Sequence, residues 1–235
     1  AMLIWSFARR WNFPLAWPER WTLENWSSQL GNLLEMVWNT FAIGAAATLL
    51  ALVLSVACLE HEAHRRPSFF SGRSLWLLYV PLLVPQVGFL FGVQVLLARS
   101  GLDGGWLALV WTHWLFVLPY VFLSLADPWR AFDRRYEQTA LALGASAGRT
   151  FWRVKLPMLR GPIAVAAAMG FSVSVAQYLP TLFAGAGRYA TITTEAVTLA
   201  SGANRRIIGV YAAAQTALPL LGFAAALWVV RRRRA

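Results

Sequence analysis

Residues 136–159 read YEQTALALGASAGRTFWRVKLPML, a polar stretch set between long apolar runs. Glu137 to Leu143 are good helix formers, and Gly144 suits the left-handed position that closes such a helix. Ser146 is placed to cap a second helix through its hydroxyl, and Pro157 forbids that helix from continuing far. The second helix offers Phe151 and Val154, three apart, as an apolar stripe, with Arg149, Arg153 and Lys155 around it. A basic helix–turn–helix this compact, lying between membrane spans, points to something that docks on it.

The flanking sequence is built for lipid. The 235 residues are 58% hydrophobic and only 13% charged, where a soluble domain would carry about 25% charge. Mean hydropathy is +0.53. Five runs have spanning length, about 20 residues each: Leu33 to Leu59, Leu75 to Ala98, Trp106 to Ala126, Pro162 to Phe183 and Ile207 to Val230. None carries Lys or Arg in its interior, so their backbone polarity must be satisfied internally, as helices. Small residues at Gly44 to Ala47 with Ala51, and at Ala164 to Ala168 with Gly170, allow close helix approach. The reading is an all-α membrane protein of about five transmembrane helices. Residues 1–32 precede them as a Trp- and Pro-rich interfacial segment on the outer face, and 33–235 form one transmembrane domain.

The net charge of +11 does not indicate nucleic acid, because 20 of the 21 basic residues are Arg placed at the ends of apolar runs. The closing Arg231 to Arg234 read as a topology anchor among membrane lipids, with specific recognition of anionic headgroups as the alternative. With the C-terminus cytoplasmic, the inner segments 60–74, 127–161 and 231–235 hold 14 of the 21, including Arg65, Arg66 and Arg231 to Arg234. The positive-inside rule favours that arrangement, which puts residues 136–159 in the cytoplasm. Cys58 stands alone in an apolar run, which excludes an intrachain disulfide. His61, His64, Glu60 and Glu62 cluster, yet no further ligand is apparent, so they read as a solvated loop rather than a metal site.

The loop resembles the cytoplasmic EAA loop of permease subunits in binding-protein-dependent ABC importers. There, E-A-A is followed by three residues, Gly, nine residues, and Ile/Val-x-Leu-Pro. Gly144, nine intervening residues, then Val154, Lys155, Leu156 and Pro157 fit this spacing. Gln138, Thr139 and Ala140 fall in the E-A-A slots, so Gln138 takes the acidic position, with Glu137 one residue earlier. Asn39 and Thr40 match an Asn-Thr/Ser pair early in that family's first core helix, and the chain's opening resembles the tail of a first transmembrane helix. The resemblance implies a type I permease fold that moves a small polar solute across the bacterial inner membrane by alternating access. It implies docking through Ala140, Leu141, Gly144, Ala145, Phe151 and Val154 on a cytoplasmic ATPase, which binds ATP and Mg. It further implies a second permease chain, identical or related, and a periplasmic solute-binding protein.

The chain itself reads as no enzyme and needs no cofactor or metal of its own. Lys155, the sole lysine, has no glycine-rich P-loop before it, and no G-x-S-x-G elbow occurs. Polar residues within the apolar runs mark a translocation path: Gln86, Gln94, His113, Gln177 and Gln215. Interhelical hydrogen bonding without solute contact is the alternative role for each. Between the last two runs, Thr193 or Thr194 is expected to cap a short helix, Glu195 to Ala200, closed by Gly202. The Gly-Arg and Thr-rich wording of this segment resembles importers of the polyamine, iron and thiamine branch. An export-type protein or a non-transport membrane scaffold shares the apolar runs but has no use for the loop.

Overall fold

The computed structural model describes residues 2–12, 14–64, 73–202 and 204–231. Arg65, Arg66 and Arg232 to Arg234 of the charge argument lie outside these. The chain opens with α1 (Met2–Phe7) and a small hairpin of β1 (Ala8–Arg10) and β2 (Arg20–Trp21). Then follow α2 (Glu24–His64), α3 (Arg73–Leu83), α4 (Gln86–Arg99) and α5 (Trp106–Arg130). The loop region holds α6 (Arg135–Ala142), α7 (Ala147–Thr150), a π-helical turn (Phe151–Lys155) and α8 (Leu156–Met158). The chain ends with α9 (Arg160–Val175), α10 (Leu179–Gly185), α11 (Ile192–Ala200) and α12 (Arg205–Arg231).

Among the described residues, α2, α5 and α12 are each long and apolar enough to cross a membrane. The pair Ala147–Met158 and Arg160–Val175, bent by 70°, makes a fourth span if read as one. Two of the five expected runs are therefore not single helices. Leu75 to Ala98 divides at Val84–Pro85 into helices of 11 and 14 residues. Pro85 has no N–H to donate and forces its predecessor out of the α region, which ends α3. Pro162 to Phe183 divides at residues 176–178, where Pro180 sits in the first turn of α10, a position that suits a helix start.

Among the described residues, the five-span expectation thus stands as three spans, or four with the bent pair, plus one shorter apolar helix, Gln86–Arg99.

α5 forms the centre, packed against α2, α9, α10 and α3. Leu109, Val117, Val121 and Leu125 of α5 are fully buried. The closest approach is made at Gly170 of α9, where a Cβ would lie 2.5 Å from Val121 and 3.1 Å from both Thr48 and Val117. Only a hydrogen fits there, so side-chain methyls of α2 and α5 rest directly on the α9 backbone.

α2 is 41 residues long, about 60 Å at helical rise, twice a hydrocarbon core of about 30 Å. Its ends must project beyond the bilayer, so Glu60 and Glu62 stand in the aqueous layer as the last helical turns rather than as a loop.

The amino-terminal segment is held to the helices. α1 rests on α12 at Gly209, whose Cβ would meet Met2 O at 2.7 Å. Asn25 Nδ2 donates to Ser6 O (3.0 Å) and Ala8 O (3.1 Å), and Arg206 donates to Arg9 O (2.8 Å).

α11 starts earlier than its sequence implies. Thr191 caps it, in a reciprocal box with Thr194. Thr193 is instead buried, its hydroxyl donating to the carbonyl of Val175 where α9 breaks off. That lost helical acceptor outcompetes the cap.

Candidate functional site

The 136–159 segment is closed by local hydrogen bonds. Asp133 Oδ1 accepts from Arg135 N (2.9 Å) at the start of α6. At its end Gly144 has φ +84°, the Ala145 N–H reaches Ala140 O (3.0 Å) and the Gly144 N–H reaches Leu141 O (3.0 Å). This crossed pair is the Schellman closure, and it satisfies carbonyls that a helix end leaves open. Ser146 Oγ accepts from Arg149 N at 3.4 Å and caps α7. Pro157 cannot donate to the carbonyl of Arg153, and the Leu156 N–H reaches back five residues to Phe151 O, which makes the π turn.

The candidate docking residues divide between two sides of this segment. Gln138, Thr139, Leu141, Gly144 and Pro157 are exposed, while Ala140, Ala145 and Val154 are half-buried. Phe151 and Leu156 pack toward the core, Phe151 with its ring 6.4 Å from that of Trp129. The exposed apolar surface comes from Leu141 (48%), Leu143 (83%) and Trp152 (68%). Leu143 and Trp152 escape a reading based on family slots. The signal for Leu143 was its place beside the left-handed glycine, which no neighbour covers.

Beneath the loop lies a charged cluster that the sequence reading missed. Lys155, 2% exposed, places Nζ 2.7 Å from Glu60 Oε2 and 2.8 Å from Glu137 Oε1. The Trp129 and Phe132 rings lie 5.3 and 5.4 Å from the same ammonium. Glu62 takes a two-pronged bond from Arg130 (2.9 and 3.1 Å), and Arg134 donates to Ala63 O. Glu60 and Glu62 are therefore partners of the loop and of α5, which corrects their reading as a solvated pair.

A second polar centre lies inside the helices. His113 on α5 meets Ser174 Oγ through Nδ1 (2.8 Å) and Thr181 Oγ1 through Nε2 (2.9 Å). Thr181 spends its proton on Gln177 O (2.8 Å), so Nε2 is the donor to Thr181, while Nδ1 shares its bond with the Ser174 hydroxyl. One imidazole thus bridges the break between α9 and α10. Gln177 donates from Nε2 to His113 O (3.3 Å), while its buried Oε1 has no hydrogen-bond partner. Exchanging the amide ends would set two acceptors against each other, so the orientation is fixed by the carbonyl.

Gln177 and Gln86 line one cavity of about 510 Å³, with Tyr120 and Tyr178, between the two broken helices. Gln94 lies exposed on α4, and Gln215 is half-buried on α12. The structure brings Gln86, His113 and Gln177 together and leaves Gln94 and Gln215 apart from them among the described residues.

Among the described residues, long apolar helices and two apolar runs broken beside a polar centre define a multi-pass membrane protein. The chain belongs to the family of binding-protein-dependent transport system inner membrane components, whose family model matches residues 62–234. It is similar to the inner membrane ABC transporter permease protein YnjC of Escherichia coli K12. The identity is 40% over 190 residues, which cover 81% of this chain and 36% of that protein. It is 32% identical over 193 residues to the molybdenum transport system permease protein ModB of Mycobacterium tuberculosis H37Rv, covering 75% of this chain and 70% of ModB. To the spermidine/putrescine transport system permease protein PotC of Escherichia coli K12 it is 28% identical over 138 residues, covering 58% and 50%. The chain thus spans about a third of YnjC and half of PotC. It is an ABC permease of the inner membrane, built from apolar helices.

Proposed function

We propose that this chain is the permease subunit of an ATP-driven importer. The loop 136–159 faces the cytoplasm, as does the C-terminus, and docks on an ATPase subunit that binds ATP and Mg. The observation that carries this reading is the exposure of Leu141, Leu143 and Trp152 on a loop closed by its own hydrogen bonds. Large apolar side chains held out on rigid backbone suit burial against a partner. Gln138, Thr139, Ala140, Gly144, Ala145, Val154 and Pro157 lie around them, and Phe151 and Leu156 support them from beneath.

The cavity between the broken helices would be part of the path, with Gln86 and Gln177 in contact with solute and His113 holding the break. Gln94 and Gln215 would join it only where a second permease chain, identical or related, completes the wall. A binding protein on the opposite face would deliver the solute. Among the described residues, Gln86, Gln177, Tyr120 and Tyr178 give the cavity's lining its side-chain hydrogen-bonding groups. That supports a small polar solute read by hydrogen bonds, within the range that relatives of molybdenum and polyamine transport define.

Pull-down with a tagged chain tests the docking. The wild type should bring down an ATPase subunit, and Trp152→Glu should lower the amount at least about tenfold, as expected for a buried aromatic anchor. The membrane level of the chain should not change. Equal recovery of the ATPase with the variant contradicts the docking surface.

A further inference from the structure

The charged cluster under the loop joins three separate elements at one atom. Glu137 belongs to α6, Lys155 ends the π turn, and Glu60 lies in the last turns of α2. An ammonium this deeply buried is costly unless it is paired, and two carboxylates and two aromatic rings surround it. Removing the ammonium would leave Glu60 and Glu137 facing each other. The same end of α2 is fastened again by Glu62 to Arg130 and by Ala63 O to Arg134. The loop is therefore tied to α2 and α5 by ionic contacts as well as by chain continuity.

We propose that Lys155 is a positioning residue, an electrostatic clamp through which a push on the loop reaches α2 and α5. This rests on the docking reading above. Without the clamp, α6 and α7 would yield under the ATPase while the membrane helices stayed in place. With it, loop and helix ends move as one body, the kind of rigid element that carries coupling between distant sites. Glu137 is committed inward to Lys155, so the family's acidic slot is left to the uncharged, exposed Gln138. Glu137 thus serves the cohesion of the loop.

The chain carries its own reporter. Cys58, the single cysteine, is half-buried near the end of α2 and packs against the core cluster of α5. In membrane vesicles holding the tagged chain with its ATPase, maleimide labelling of Cys58 is followed without nucleotide and with ATP, Mg and vanadate. In the wild type the rate should change at least about fivefold, the lower range of allosteric coupling. Lys155→Met should keep the ATPase bound and lose most of that change, whereas Lys155→Arg should preserve it. Glu137→Gln leaves the Lys155–Glu60 pair intact, so the chain should accumulate normally while the response falls at least about twofold.

A wild-type response in Lys155→Met overturns the clamp, as does an undiminished response in Glu137→Gln should Lys155→Met fail to accumulate. A wild-type complex that holds ATPase yet shows no nucleotide effect at Cys58 also overturns it. A wild-type chain that brings down no ATPase overturns the docking reading itself, and the clamp with it.

Discussion

Gly144→Asp is expected to abolish uptake of the solute while the chain still inserts and accumulates. Gly144 sits at φ +84°, where a side chain costs about 1 kcal/mol, and a Cβ there meets nothing within 4 Å. The variant therefore folds. Its carboxylate, however, would stand on the same exposed turn as Leu141 and Leu143, where burial against a partner would leave the charge unpaired. Such a charge costs about 3 kcal/mol or more, which is a loss of at least about 100-fold in occupancy of the docked state. Gly144→Ala separates the two causes: it carries the backbone strain alone and should lose no more than about tenfold. Uptake is measured with the solute that the partner binding protein carries, and membrane abundance by immunoblot. Wild-type uptake in Gly144→Asp contradicts the role given to the loop.

Gly170→Val has the second large effect, on the fold. The new Cβ would stand 2.5 Å from a Val121 methyl, with Thr48 and Val117 methyls at 3.1 Å, so no rotamer of valine finds room. All three neighbours are on helices, and none is the free end of a flexible side chain. Overpacking in a core costs about 1–3 kcal/mol even where neighbours can shift. Here α9 must withdraw from both α2 and α5, and the expected result is loss of chain that withstands detergent extraction. Gly31→Ala is the contrast: nothing lies within 4 Å of its Cβ, and alanine gains about 1 kcal/mol of helix propensity. Thermal unfolding of the purified chain distinguishes them; equal stability of Gly170→Val and wild type contradicts the packing.

What the sequence made legible is what is settled locally. Gly144, Ser146 and Pro157 each have a stereochemical preference that no distant residue contests, and the turn they imply is the turn observed. Apolar runs are equally direct, because a run of spanning length has no other way to satisfy its backbone in lipid. The breaks at Pro85 and at Ala176–Tyr178 were harder. Prolines are tolerated within membrane helices, and Pro81, Pro119 and Pro219 do lie inside α3, α5 and α12. Whether a given proline breaks its helix depends on who satisfies the freed groups; at the end of α9 the carbonyl of Val175 is taken by Thr193, 18 residues on, and the side chain of Ser174 by His113 of α5. The same non-locality hid the Lys155 cluster. Glu60 read as part of a solvated loop because the histidines and arginines that follow it in the chain suffice to balance its charge, and the buried Lys155 reaches it only when α2 and the loop are folded together.

The central claim, that residues 136–159 lie on the cytoplasmic side, is tested by labelling one position on each side of the membrane. Gly148 is exposed and its Cβ would meet nothing within 4 Å, so Gly148→Cys in a Cys58→Ser background gives a single accessible thiol. A membrane-impermeant maleimide should leave that thiol untouched in intact spheroplasts and label it fully in inverted vesicles. Labelling from outside in intact spheroplasts would contradict the proposed orientation and, with it, coupling to a cytoplasmic ATPase.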